Sequence, residues 1–136
     1  MATPMSQCSV FIQIWVDTNA IQAGQTKGVY LVDNCVSNNG SQREGSASLQ
    51  TKCMKGSFIS WTILPIDPNF GGSMQIQSIG NSNVWGDSGQ PQRVDDHSFT
   101  GQAQNNTSST YALGLNIQLA GGSGMSLQLN PGITAY

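Results

Sequence analysis

From Cys8 to Asp17 apolar and polar residues alternate almost one for one. Cys8, Val10, Ile12, Ile14 and Val16 fall on one face, and Ser9, Gln13 and Asp17 share the other with Phe11 and Trp15. A period of two is the pattern of a strand with one buried face, and it excludes an amphipathic helix over the same residues. The pattern returns in Ala47, Leu49, Thr51 and Cys53. It is strictest from Tyr111 through Leu113, Leu115 and Ile117 to Leu119, and it resumes in Met125, Leu127 and Leu129. Gly121-Gly122-Ser123-Gly124 between the last two runs predicts a β-hairpin.

Other strands are predicted from composition rather than alternation. Val29 to Val32 is a short apolar run closed by Asp33-Asn34, and Phe58 to Leu64 is nearly continuous in apolar and β-branched residues, as for a strand covered on both faces. The second run stops at Pro65, before a turn from Asp67 to Gly72. Met74, Ile76 and Ile79 follow. Phe99, Gly101 and Ala103 make a weaker strand before a polar turn from Gln104 to Ser109. No segment sustains a helical period. Asp17 to Ile21 can open one helical turn, with Asp17 or Thr18 as its cap, before Gly24 interrupts it. The expected fold is all-β: one domain over residues 1–136, an antiparallel two-sheet β-sandwich, jelly-roll-like, with about eight strands. Asn38 to Ser46 is expected to be its most flexible loop, and Trp15 and Trp61, inside strand patterns, are expected in the core.

Charge narrows the function. Charged residues are 9% of the 136-residue chain and the net charge is -2, where about 25% charged is typical. Ser, Thr, Asn, Gln and Gly take their place. Such a surface has little like-charge repulsion to hold copies apart, which favours self-association into at least a dimer. Five scattered basic residues cannot follow a phosphate backbone, so a nucleic-acid partner is excluded. No apolar run has the length of a membrane span. MATPMSQC has neither a basic region nor an apolar core of the secretory kind, so a cytoplasmic location is expected. Cys8, Cys35 and Cys53 are an odd set without a CxxC pair, which suits reduced, buried thiols.

The stretch from Trp85 to Phe99, WGDSGQPQRVDDHSF, stands apart. It carries Asp87, Asp95 and Asp96 of the seven acids, Arg93 of the five basic residues, and the single histidine, His97. With no second histidine, a zinc or iron centre is not expected. Calcium would be the metal for such oxygen ligands, but the acids lack the spacing of an EF-hand, and no cofactor is expected. Ser88 in Gly86-Asp87-Ser88-Gly89 is not a nucleophile elbow, so the chain is not expected to be an enzyme. Carbohydrate binding is the functional alternative. Trp85 would supply an apolar plate, and Asp87, Gln90, Arg93, Asp96 and His97 the polar groups that hold hydroxyls. The competing reading is a solvated connection, with Trp85 packed against the sandwich.

Several segments, in order, give the chain a family resemblance. They are Ile14-Trp15-Val16-Asp17-Thr18-Asn19-Ala20-Ile21, then Gly28-Val29-Tyr30-Leu31-Val32-Asp33-Asn34, then Leu49 to Gly56 with Ile59-Ser60-Trp61 and Leu64-Pro65-Ile66-Asp67-Pro68. Val84-Trp85-Gly86 to Gly89-Gln90-Pro91 and Gly101-Gln102-Ala103 complete the set. From about residue 10 to residue 119 the chain resembles the bacterial PixA/AidA inclusion-body proteins. It departs from them at Gly56-Ser57, where a Gly-Asp turn is common, and in its C-terminal hairpin. The resemblance implies a small cytoplasmic protein made in quantity by bacteria at high density, in some members under quorum control and in some stored as crystalline inclusions. It brings no catalytic residues with it.

Overall fold

The computed structural model describes residues 2–21, 25–122 and 124–136. Among the described residues eleven strands run in order: β1 (Val10–Val16), β2 (Val29–Asp33), β3 (Gln50–Cys53), β4 (Phe58–Pro65), β5 (Ser73–Ile79), β6 (Gln92–Asp95), β7 (Ser98–Gln102), β8 (Ser108–Thr110), β9 (Leu113–Gln118), β10 (Gly124–Leu129) and β11 (Gly132–Ala135). A single 3-10 turn (Met5–Gln7) precedes β1, and a one-turn helix, α1 (Val36–Asn39), follows β2. The chain is all-β, as expected. A five-stranded sheet in the order β2-β1-β4-β7-β6 shares one core with two three-stranded sheets, β10-β9-β5 and β3-β11-β8.

The alternation of β1 survives intact. Val10, Ile12, Ile14 and Val16 are buried, while Phe11 and Gln13 are exposed. The hairpin of β9 and β10 also forms, with Leu115 opposite Leu127 and Leu113 opposite Leu129. Ser123 of its turn lies outside the described residues, as does Gly24. Asp17 does cap a turn: its carboxylate accepts from the Asn19 N–H at 3.1 Å and its carbonyl from Ala20 at 3.0 Å.

Four expectations need correction. The sandwich is not purely antiparallel. β1 runs parallel to β4, with Ile12 beside Trp61, and β11 runs parallel to β3. Both pairs join strands distant in sequence, so neither needs the tight turn that makes a neighbour antiparallel. Second, the polar turn read from Gln104 to Ser109 ends early: Ser108–Thr110 is strand β8, which pairs with β11. Third, the Asn38 to Ser46 segment is tied down. Gly45 donates to the Leu31 carbonyl at 2.7 Å, Gln42 and Gln50 exchange two bonds of 2.9 Å, and the Glu44 carboxylate accepts from the Asp33 N–H at 2.8 Å. Fourth, Trp15 is only half-buried, on the outer face, its indole N–H donating to Gln13 Oε1 at 3.1 Å. Trp61 is fully buried. The three cysteines are buried thiols, and none is joined in a disulfide.

Candidate functional site

The interior is organised by three aromatic rings from distant parts of the chain. Trp61 (β4), Trp85 and Tyr111 are all buried, with ring centroids 5.5 to 6.0 Å apart in edge-on or tilted contact. That is the separation and tilt aromatic quadrupoles favour. Their polar handles are satisfied inside. Trp61 Nε1 donates to Tyr111 Oη at 3.1 Å, and Trp85 Nε1 donates to the Gly80 carbonyl at 3.0 Å. Burial raises the Tyr111 phenol well above its ordinary value, so it stays a neutral hydroxyl.

Trp85 therefore cannot be the plate of a sugar site, because no part of its side chain reaches solvent. Its role is to anchor the loop around it. The Trp85 N–H donates to Ser82 O at 3.2 Å, and Val84 N–H to Ser82 Oγ at 3.1 Å. From the far side, Gln104 and Asn105 N–H both donate to the Val84 carbonyl, at 2.8 and 3.1 Å. At Gly86 the backbone takes a positive φ of 70°, and a Cβ there would stand 2.9 Å from Gln104 Oε1. Glycine takes this conformation without strain, and a side chain there would crowd Gln104.

Above the anchored loop lies a cleft of about 370 Å³, lined by Asn81, Asn83, Asp87, Gln90 and Asn105 with neighbouring serines. Gln90 Nε2 donates to the Gly86 carbonyl at 3.1 Å, and Asn105 Nδ2 to the Asn83 carbonyl at 2.7 Å. Each bond fixes an amide and leaves its oxygen available. The Asp87 and Asn81 side chains are exposed.

The six residues expected to form one site are thus divided. Asp87 and Gln90 line this cleft. Asp96 and His97 line another, of about 290 Å³, with Gln75, Asn116 and Gln118. Arg93 belongs to neither. Its guanidinium lies 4.9 Å from the Phe99 ring centroid, donates to the Gln77 carbonyl at 3.0 Å and stands 4.0 Å from the Asp96 carboxylate. Since Phe99 is on β7 and Gln77 on β5, Arg93 brackets the five-stranded sheet to a three-stranded one. The stretch is also no mere connection. Gln92 to Asp95 is an exposed edge strand paired with β7, with a bulge between Arg93 and Asp95. Asn81, Asn83 and Asn105, cleft residues missed in the sequence, lie outside the charged stretch, and nothing in the local pattern marks them.

Among the described residues no group of three His, Cys, Asp or Glu side chains could hold a metal ion. The one tight acidic pair lies elsewhere. Asp33 accepts from Cys35 N–H at 2.9 Å and from Thr51 Oγ1 at 2.8 Å, and beside it Glu44 Oε2 is buried without a hydrogen-bond partner. Burial pushes the Glu44 carboxyl up to about 7. The Asp33 N–H pulls the other way, and the Asp33 carboxylate adds to the rise. Cys53 is pushed up to about 12 by burial, with Cys35 and Asp33 adding to it.

The fold is shared with a solved structure. The crystal structure of the inclusion body protein PixA from Burkholderia cenocepacia J2315 superposes with a TM-score of 0.72 over 100% of both chains, at 14% sequence identity. The two chains share one fold from end to end. No helix of the described residues is long and apolar enough to cross a membrane. No curated protein matches the sequence closely enough to count as a relative. Residues 8–126 match the family described as Domain of unknown function (DUF8788), and the chain belongs to that family.

Proposed function

We propose that this protein is a non-enzymatic, self-associating protein of the inclusion-body type, which accumulates in the bacterial cytoplasm. The observation that carries the reading is the outer face of β2, β1 and β4. Tyr30, Trp15 and Leu64 stand in one row across the three strands, with Gln13, Val32 and Thr62 in the next. Phe11 and Tyr30 are each 40% exposed. None of these side chains is charged, so two copies can bring the same face together without placing like charges in contact. The end-to-end likeness to an inclusion body protein and the low overall charge support the same reading. Expression at high level in bacteria tests it. Dense protein bodies that dissolve to native protein on dilution are expected, and fully dispersed protein at every level would overturn it.

Carbohydrate binding is the second reading. The polar cleft beside Asp87 and Gln90 favours it, although the aromatic plate expected for it is buried.

A further inference from the structure

We infer that the cleft between the Asn81–Gln90 loop and Asn105 is a binding site for a neutral polyhydroxylated ligand, a sugar ring held by amides and one carboxylate without a metal ion. The inference rests on the carbohydrate-binding reading and gives it a definite site.

The chemistry of the lining selects the ligand class. Side-chain amides both donate and accept, as sugar hydroxyls do. Asp87 adds the acceptor that grips two neighbouring hydroxyl protons most strongly. Its side chain makes no hydrogen bond or ion pair among the described residues, so a ligand would not have to displace a partner. An anion would meet the Asp87 charge with no basic residue among the cleft's lining side chains to offset it. A greasy ligand would find little apolar wall. Calcium takes six to eight oxygens and draws on several carboxylates, whereas Asp87 is the one carboxylate lining this cleft.

The cleft is also built rather than incidental. The loop that lines it is tied down by the buried Trp85 and by the two bonds to the Val84 carbonyl. The Gln90 and Asn105 amides are held by bonds to backbone carbonyls, which lowers the ordering cost of binding. A volume of about 370 Å³ sits at the small end of ligand sites, roughly 300–1,000 Å³, as one or two sugar rings require. Without an exposed ring to stack on, affinity is expected to be weak.

The test is ligand-observed NMR on the full chain with glucose, galactose, mannose, fucose and N-acetylglucosamine, repeated with EDTA. Asp87→Ala, Asn81→Ala and Asp96→Ala provide the comparison. All three positions are exposed, and amide spectra confirm that each variant is folded. At least one sugar is expected to bind, to survive EDTA, and to weaken about tenfold in Asp87→Ala and Asn81→Ala, the loss typical of one good hydrogen bond to a charged or buried group. Asp96→Ala, in the other cleft, should bind as the parent does. Binding unchanged in the Asp87 and Asn81 variants would overturn the site while leaving the carbohydrate reading standing. Binding lost in EDTA would overturn the metal-free mode. No binding by any sugar in the panel would overturn the reading and the site together.

Discussion

The Trp61 indole donates its N–H to the Tyr111 hydroxyl at 3.1 Å, in a fully buried contact between residues 50 positions apart. This bond ties the central strand of the five-stranded sheet to the segment entering β9, with Trp85 leaning on both rings. Tyr111→Phe keeps the ring and removes the acceptor, so the Trp61 N–H is left buried and unpaired. A loss of about 1–3 kcal/mol is expected, read from the midpoint of urea unfolding at unchanged slope.

Trp85→Ala should cost more. It removes a fully buried ring and opens a cavity under the loop, for an expected loss of about 3–5 kcal/mol. The same variant should release the 80–90 loop, which hydrogen exchange at Val84, Gln104 and Asn105 would reveal. If Trp85 instead served as a surface plate, its removal would leave stability nearly unchanged.

Arg93→Ala is expected to lower stability by about 1 kcal/mol, through loss of the ring contact with Phe99 and the bond to Gln77 O. Its paired Asp96 is largely exposed, so Asp96→Asn should change little. The two variants compared by denaturant unfolding separate the bracket from the ion pair.

Glu44 gives the pH dependence. Its carboxyl is raised in the folded protein from 4.5 to about 7. The native state therefore holds a proton that the unfolded chain has released between those values. The contribution is full below about 4.5, declines as pH rises, and is gone above about 7. Glu44→Gln cannot ionise and should flatten the stability profile over that window, with the difference from the parent largest on its alkaline side.

The thiols should be slow to react. Burial raises both Cys8 and Cys53, the latter to about 12, and the thiolate is the reactive form. At pH 8 alkylation of Cys53 is expected only as fast as the protein unfolds, so added urea should accelerate it by orders of magnitude. Rapid labelling in the native protein would contradict this packing.

Where one face of a strand is buried and the other wet, the sequence carried that fact openly. β1 and the β9–β10 hairpin could be read residue by residue because apolar residues bound for the core recur at every second position. The parallel pairings of β1 with β4 and of β3 with β11 could not, since they depend on which distant strand arrives alongside. β8 was hidden because Ser108, Ser109 and Thr110 are polar and only three residues long. Trp85 was misleading for a similar reason. Its sequence neighbours Gly86, Asp87 and Ser88 are polar, yet the ring turns inward to fill space between Trp61 and Tyr111. The charged stretch did mark the neighbourhood of a cleft, through Asp87 and Gln90. Asn81 and Asn83 stand just before that stretch in the chain, and Asn105 comes from a separate segment that only the fold brings alongside.

The most direct test of the central claim is sedimentation equilibrium of the full chain over a wide range of concentration, beside Tyr30→Lys. Tyr30 is exposed on the outer face next to Trp15, so the substitution puts like charges opposite each other without disturbing the core. The expected result is a parent mass that climbs to dimer and beyond with concentration, and a variant that stays near monomer mass under the same conditions. A parent protein that remains monomeric at its highest soluble concentration would contradict the account.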